Sequence, residues 1–389
     1  MQFSQITGQT KLINSLIKIV KNQRISHAQL FLGQQGAGTF AVALAYAQFI
    51  NCTNKQYFNA SSEGELQADS CGKCPSCIKY EALAHPDLHL FFPNTTSSKL
   101  DVDKNNESYL FLPQFRDFVI ANAGYIDLES WYNTLDVGNK QGVINVRDVT
   151  RMITDLSLMA YEAEYKVTIV WCFDKLHYEA APKLLKLLEE PDGKTLFFLI
   201  TDNSEAILPT ILSRTQLVKV PPLSNGTIAE YLIKERGLNK EEAEKQAIIA
   251  DGSLIKARNM NTDSGDKFEE FFIDWTRATF AYAKDISQII EMGEEFAKWG
   301  REQHKLFFAM AINAFRKSLY INLGIGSKED FFEIKDEKFK INFPKFITQQ
   351  RLEQIYSLLN EANYHIQRNA NAKILFCDLS IKIGSLLRS

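Results

Sequence analysis

Gly33-Gln34-Gln35-Gly36-Ala37-Gly38-Thr39-Phe40 keeps the glycine frame of the phosphate-loop pattern G-x-x-x-x-G-K-[ST] and loses its two chemical residues. Thr39 stands in the lysine position, where a cation would reach the β- and γ-phosphates. Phe40 stands where a hydroxyl would hold Mg²⁺, a hard cation that takes oxygen ligands. The flanks are those of a working loop. Ala28 to Leu32 is a short apolar run that predicts a strand, and the Ala-rich stretch Phe40 to Ile50 predicts a buried helix. A nucleotide-binding scaffold is therefore expected, with no ATP of its own.

Working outward, Leu12, Ile13, Leu16, Ile17 and Val20 recur at helical spacing and predict a first helix over Thr10 to Lys21. Val146 to Tyr161 again has helical period, and the continuous apolar run Val167 to Phe173 predicts a central parallel strand. Ala180 to Glu190 predicts an amphipathic helix stopped by Pro191, and Thr195 to Ile200 another buried strand. Strands alternating with helices imply a parallel sheet covered on both faces. Pro221-Pro222 marks a hinge, beyond which the periodic segments are helical: 227–236, 240–250, 268–283, 303–323, 346–360 and 371–387. Between about 94 and 141 lies a polar and aromatic stretch that reads as an insertion, part loop and part short helices, with Asn105 to Ser108 expected to be mobile. Its role is not legible.

Composition sets wide bounds. The chain has 389 residues, enough for two or three cores, with 45% hydrophobic and 23% charged residues. A net charge of −3 excludes a generally basic nucleic-acid coat. No apolar run is long enough to span a bilayer, and MQFSQITGQTKL lacks a signal-peptide pattern, so a cytoplasmic protein is expected.

Cys71, Cys74 and Cys77 form a C-x₂-C-x₂-C run, with Cys52 upstream across eighteen residues. In a reducing compartment clustered thiols read as metal ligands before disulfides. Four thiolates make a closed structural Zn²⁺ site with no open position for catalysis. An iron–sulfur run would place a further Cys where Glu81 stands, and metal-free thiols are the other alternative. His85 and His89 are expected to be structural or solvent-facing, His177 a core or cap residue, and Cys172 and Cys377 small core residues. Phe268, Phe271, Phe272 and Trp275 have the spacing of a helix interior.

Two more positions carry the reading further. Val170-Trp171-Cys172-Phe173-Asp174-Lys175 has the form of an acidic Mg²⁺-binding motif, but Lys175 replaces the glutamate that would polarise water. A protonated lysine cannot be that base. Downstream stands Ser213-Arg214. With Ile6-Thr7-Gly8-Gln9, His27-Ala28-Gln29-Leu30-Phe31, His85-Pro86-Asp87 and Lys183 to Pro191, the chain resembles the AAA+ subunits of bacterial clamp loaders over nearly its whole length. Their signature at that place is Ser-Arg-Cys, and this chain has Thr215 for the Cys. Asp251 to Ala257 resembles their Gly-Ser-x-Arg-x-Ala motif, with Ile255 where the motor subunits keep a phosphate-sensing arginine.

The resemblance implies an α/β AAA+ domain of P-loop NTPase type over 1–221, carrying a zinc module at about 52–80. A small helical lid over 222–264 and an all-α oligomerising collar over 265–389 would follow. It implies a subunit that has abandoned its own site and offers Arg214, presented by Ser213, to the ATP site of a neighbour. Such a subunit would work with gamma/tau and delta partners to place a sliding clamp on primed DNA, touching DNA only through phosphates. Two other readings compete. An active gamma/tau-type ATPase would need the residues displaced by Thr39 and Lys175, and a zinc-dependent DNA-binding protein would need more cations near the cysteines than Lys55, Lys73 and Lys79.

Overall fold

The computed structural model describes residues 1–58, 65–96, 106–136, 142–191, 193–260, 264–324, 337–368 and 370–388. Its strands are β1 (Ala28–Leu32), β2 (Gln56–Tyr57), β3 (Ala68–Asp69), β4 (Leu88–Phe91), β5 (Lys166–Val170), β6 (Thr195–Thr201) and β7 (Gln216–Lys219). Helices of the first half are α1 (Thr10–Lys21), α2 (Thr39–Asn51), α3 (Pro75–Glu81), α4 (Leu112–Ala121), α5 (Leu128–Leu135) and α6 (Val146–Ser157). There follow α7 (Ala181–Glu189), α8 (Pro209–Leu212), α9 (Asn225–Arg236), α10 (Lys240–Ala250) and α11 (Leu254–Asn259). The rest are α12 (Ser264–Ala281), α13 (Ser287–Ala297), α14 (Arg301–Asn322), α15 (Glu337–Asn342), α16 (Gln349–Gln367) and α17 (Ala372–Arg388). The chain divides into two compact units, Met1–Asn259 and Met260–Ser389.

In the first unit five strands form a parallel sheet in the order β4-β5-β6-β1-β7, and β2 pairs with β3 in a separate antiparallel ribbon. This is the strand order of an AAA+ core, with the loop-bearing strand second from one edge. Alternation along β1 sends Leu30 to one face and Phe31 to the other. Leu30 joins Leu199, Val149, Met152, Leu184 and Leu188 in a core beneath α6 and α7. On the opposite face Phe31 meets Tyr46 and Phe198. Every residue of α2 is buried, which explains a helix apolar on all sides.

Two strands of the parallel sheet escaped the sequence reading, as did both strands of the β2–β3 ribbon. In β7 only Val218 is buried, so no apolar run betrays it, and β4 is short and interrupted by His89. The strand expected to reach Phe173 stops at Val170, because Cys172 turns into the left-handed region (φ 51°). Cys172 is accordingly half-buried rather than a core residue, and Cys377 is half-buried too.

The insertion begins with a bridge between Asn94 and Val143, and holds α4 and α5; residues 97–105 and 137–141 lie outside the described ones. Of the stretch expected to be mobile, Asn105 is likewise outside. Ser108 is fully buried: its amide donates to Asp148 Oδ1 at 2.6 Å and its hydroxyl to the Phe92 carbonyl at 2.8 Å. At Ser108, then, a polar sequence marks a buried hydrogen-bonded network.

Helices α9, α10 and α11 pack through Ile228, Leu232, Ala243, Ala247, Leu254 and Ala257 and belong to the first unit. In the second unit Phe271, Phe272, Trp275, Phe296, Phe307 and Phe376 build an aromatic core, and Trp275 Nε1 donates to Ser380 Oγ at 2.8 Å. Sequence periodicity missed α13, whose Gly293 is the point where Cys377 and Lys373 of α17 press closest.

Candidate functional site

The loop between β1 and α2 is the expected one, and protein atoms fill its surroundings. Gly36 (φ +86°) and Gly38 (φ +88°) adopt the left-handed backbone that favours glycine. The Leu254 amide donates to the Gly36 carbonyl at 3.0 Å, and a Cβ on Gly36 would stand 2.0 Å from Ser253 Oγ. A Cβ on Gly38 would stand 3.0 Å from the Tyr125 ring. Gln9 Nε2 donates to the Ala37 and Pro221 carbonyls at 3.0 and 2.6 Å, and Gln34 Nε2 to the Asp251 carbonyl at 2.6 Å. The remaining cleft, floored by Thr201, Asp202 and Cys172, has a volume of about 40 Å³. Ligand pockets usually measure about 300–1,000 Å³.

The two substituted loop residues point into the protein. Thr39 is buried and its hydroxyl has no hydrogen-bond partner among the described residues. Phe40 is buried edge-on against Phe115 and Trp171, with ring centroids 6.0 and 6.5 Å away. Phe115 belongs to α4 and stacks on Phe92, so the aromatics of the insertion form one core with the start of α2. Nearby, Asp174 is largely enclosed: Thr201 Oγ1 donates to its Oδ1 at 3.1 Å and Lys175 Nζ lies 3.0 Å from its Oδ2. Burial works against the Lys175 charge, but the hydrogen bond and charge of Asp174 prevail and hold its pKa above the ordinary lysine value. Lys175 thus offsets the charge of the Asp174 carboxylate. Ile255 is half-buried on α11.

The cysteines converge. Sulfurs of Cys52, Cys71, Cys74 and Cys77 all lie within 4.8 Å of one another. A tetrahedral ion with metal–sulfur bonds of ~2.3 Å needs sulfurs about 3.8 Å apart, so small adjustments complete the site. Cys71 and Cys77 already stand 3.9 Å apart, too far for a disulfide. Backbone amides converge on the sulfurs: Cys71 N on Cys52, Cys74 N on Cys71 and Cys77 N on Cys74, at 3.3–3.4 Å. Amides aimed at sulfur favour thiolate, the form that binds metal. The Cys52 thiol is drawn down by the hydrogen bond from Cys77, and Cys77 is pushed up by the same bond. These four residues can hold a metal ion. His85 is buried against Tyr80, accepts from the Asp87 amide at 3.1 Å and is no part of the cluster, while His177 caps the turn at Tyr178–Ala180.

Ser213 and Arg214 follow the single turn of α8 at the surface. Arg214 Nε and Nη2 reach Glu189 Oε1 at 2.7 and 2.6 Å, and Nη1 donates to the Thr210 carbonyl at 2.9 Å and Ser213 Oγ at 3.3 Å. Side-chain exposures of 37% for Arg214 and 47% for Glu189 make this a surface ion pair, worth about 0–1 kcal/mol. The guanidinium is held in one direction but easily released.

The residues that sequence reasoning missed are Tyr125, Ser253 and Arg258. Nothing in the local pattern distinguishes Tyr125 or Arg258. Ser253 stands in a recognised motif but draws attention only through its distance to Gly36.

A parallel sheet in this order, a glycine loop after β1 and an exposed Ser-Arg pair beyond β6 define a P-loop protein of the AAA+ class. Residues 8–224, more than half the chain, match the family described as DNA polymerase III, delta subunit, and the chain belongs to that family. DNA polymerase III subunit delta' of Bacillus subtilis is 26% identical over 227 residues, covering 58% of this chain and 52% of that protein. The Haemophilus influenzae delta' is 27% identical over 216 residues, 56% of this chain and 49% of that one. These matches thus span about half the length of the relatives. The B. subtilis subunit tau is 23% identical over 98% of this chain and 61% of its own length. Among solved structures, a gamma subunit-related protein from Thermotoga maritima covers 96% of this chain and 99% of its own at 13% identity and a TM-score of 0.35. No helix among the described residues is long and apolar enough to cross a membrane.

Proposed function

We propose that this chain is a delta'-type subunit of a DNA polymerase III clamp loader, one that does not hydrolyse ATP and lends Arg214 to the ATP site of a neighbouring subunit. The observation that carries the reading is the contrast between a nucleotide loop packed with protein and a guanidinium left at the surface on a weak ion pair. As the terminal phosphate bond breaks, charge spreads over the γ-phosphoryl oxygens, and a guanidinium fork presented from outside stabilises it. Glu189 would orient Arg214 until a nucleotide in the adjoining subunit outcompetes it. Gamma/tau-type subunits would supply that nucleotide, with a delta-type subunit completing an assembly that opens a sliding clamp and sets it on primed DNA. The lid over 222–264 and the collar over 265–389 would join the assembly, with the collar making most subunit contacts.

Arg214→Ala tests the finger. In a reconstituted loader it is expected to leave assembly intact and lower turnover at the adjoining site by ~10³-fold. Unchanged clamp- and DNA-stimulated ATPase sinks the assignment.

The metal at Cys52, Cys71, Cys74 and Cys77 is proposed to be one structural Zn²⁺ that ties the end of α2 to α3. One zinc per chain is expected by elemental analysis of the purified protein, falling to none in Cys71→Ser/Cys77→Ser. Iron with visible absorbance would point to a cluster instead.

A further inference from the structure

Two groups beside the glycine loop have no part in the function just proposed. Tyr125 follows α4 in the insertion. Its ring, 4% exposed, stands against Gly38, and its hydroxyl accepts from the Thr7 amide at 2.9 Å and donates to the Thr7 carbonyl at 3.3 Å. Arg258 lies near the end of α11. Its guanidinium carbon is 5.1 Å from the centre of the Tyr125 ring and 5.2 Å from that of Tyr231. It also donates from Nη1 to the Asn122 carbonyl at 3.0 Å and from Nε to the Tyr231 hydroxyl at 2.9 Å. Arg258 therefore ties α9 and α11 to the insertion, while one turn earlier Ser253 and Leu254 are fastened to Gly36.

In proteins that close around a ligand, the ligand itself joins the two moving parts, and its loss lets them separate. Here the join is made of side chains. A cation between two aromatic faces strengthens as water is excluded, and a buried tyrosine with both hydroxyl bonds made has one favoured place. We propose that Tyr125 and Arg258 are a built-in substitute for nucleotide: Tyr125 is the wedge beside the loop, and Arg258 is the tie. Together they hold residues 251–258 on the glycine loop in one arrangement whatever the nucleotide state of the assembly. The glycines at 36 and 38 are then needed for close packing of Ser253 and Tyr125 rather than for phosphate. The insertion gains a role as the carrier of the wedge.

The proposal rests on the reading that this chain uses no nucleotide of its own, and hydrogen exchange on the full-length chain tests the two separately. In the wild type, peptides covering 250–258 are expected to be protected to the same extent with and without Mg–ATP. Tyr125→Ala and Arg258→Gln should each speed their exchange by about tenfold or more, with β6 unaffected, and Tyr125→Phe should have a smaller effect. Unchanged exchange in both Arg258→Gln and Tyr125→Phe, the variants that keep the packing volume of the site, overturns the latch even if Tyr125→Ala fails to fold. Added protection of the wild type by Mg–ATP overturns the nucleotide-free reading as well. Failure of the arginine finger is read elsewhere, in the ATPase of the Arg214→Ala complex.

Discussion

The glycine loop and the Ser213-Arg214 turn belong to the same unit, yet they are built on opposite principles. Around Gly33 to Phe40, contacts arrive from Gln9, Tyr125, Val220 and residues 251–254, and a cleft of about 40 Å³ is left. Around Arg214 there is one carboxylate, one carbonyl and one hydroxyl, all from its own neighbourhood or from Glu189, and more than a third of the side chain faces solvent. Many long-range contacts make a site rigid and costly to alter. A few local ones leave a side chain free to change partner. The first region is packed as a joint inside the protein, and the second leaves a guanidinium at the surface, where the proposed function would use it.

Substitutions in each region sharpen that difference. The largest expected effect is that of Arg214→Ala on the neighbour's turnover, described above. The same variant should move the chain's own unfolding free energy by no more than about 1 kcal/mol, the most that the surface ion pair is worth. A large loss of stability would break the contrast, because Arg214 would then be a structural residue. Next comes Gly36→Ala, which forces a Cβ against Ser253 and an unfavourable φ. It should destabilise the chain by about 2–4 kcal/mol in urea unfolding. Little change there would mean that the loop is not packed as described. The smallest effect belongs to Thr39→Val, which replaces an unpartnered buried hydroxyl by a methyl of similar size. It should be neutral or stabilise by up to about 1 kcal/mol. A marked loss of stability would show that the hydroxyl has a partner, such as bound water, that matters to the fold.

What could be read in the chain and what could not divides along sequence distance. The loop, the four cysteines, Asp174-Lys175 and Ser213-Arg214 are each compact in sequence, apart from the spacer before Cys71; spacing exposes the loop and the cysteines, motif form exposes Asp174-Lys175, and family resemblance exposes Ser213-Arg214. The strongly periodic α1 was legible to the residue, and so was α10, although its apolar period is weak. Elements lacking such a signal were not: β7 has one buried residue, and α13 reads as a charged stretch around Gly293. Tyr125 is 118 residues from Thr7, and Asp251 is 217 from Gln34. No local pattern links positions so far apart, and a polar run such as 105–108 gives no hint that Ser108 will meet a buried Asp148.

The sequence by itself determined which side chains stand at the loop and at the acidic motif: Thr39 brings no positive charge, Phe40 no metal-binding oxygen and Lys175 no carboxylate, and these are properties of residue type wherever the residues lie. It determined equally that four thiols stand ready for a metal. Only the tertiary structure decided what surrounds those side chains. Whether an altered loop gapes or is filled depends on volumes and distances among segments that the sheet order brings together, and here Tyr125, Ser253 and Arg258 are the residues that meet there.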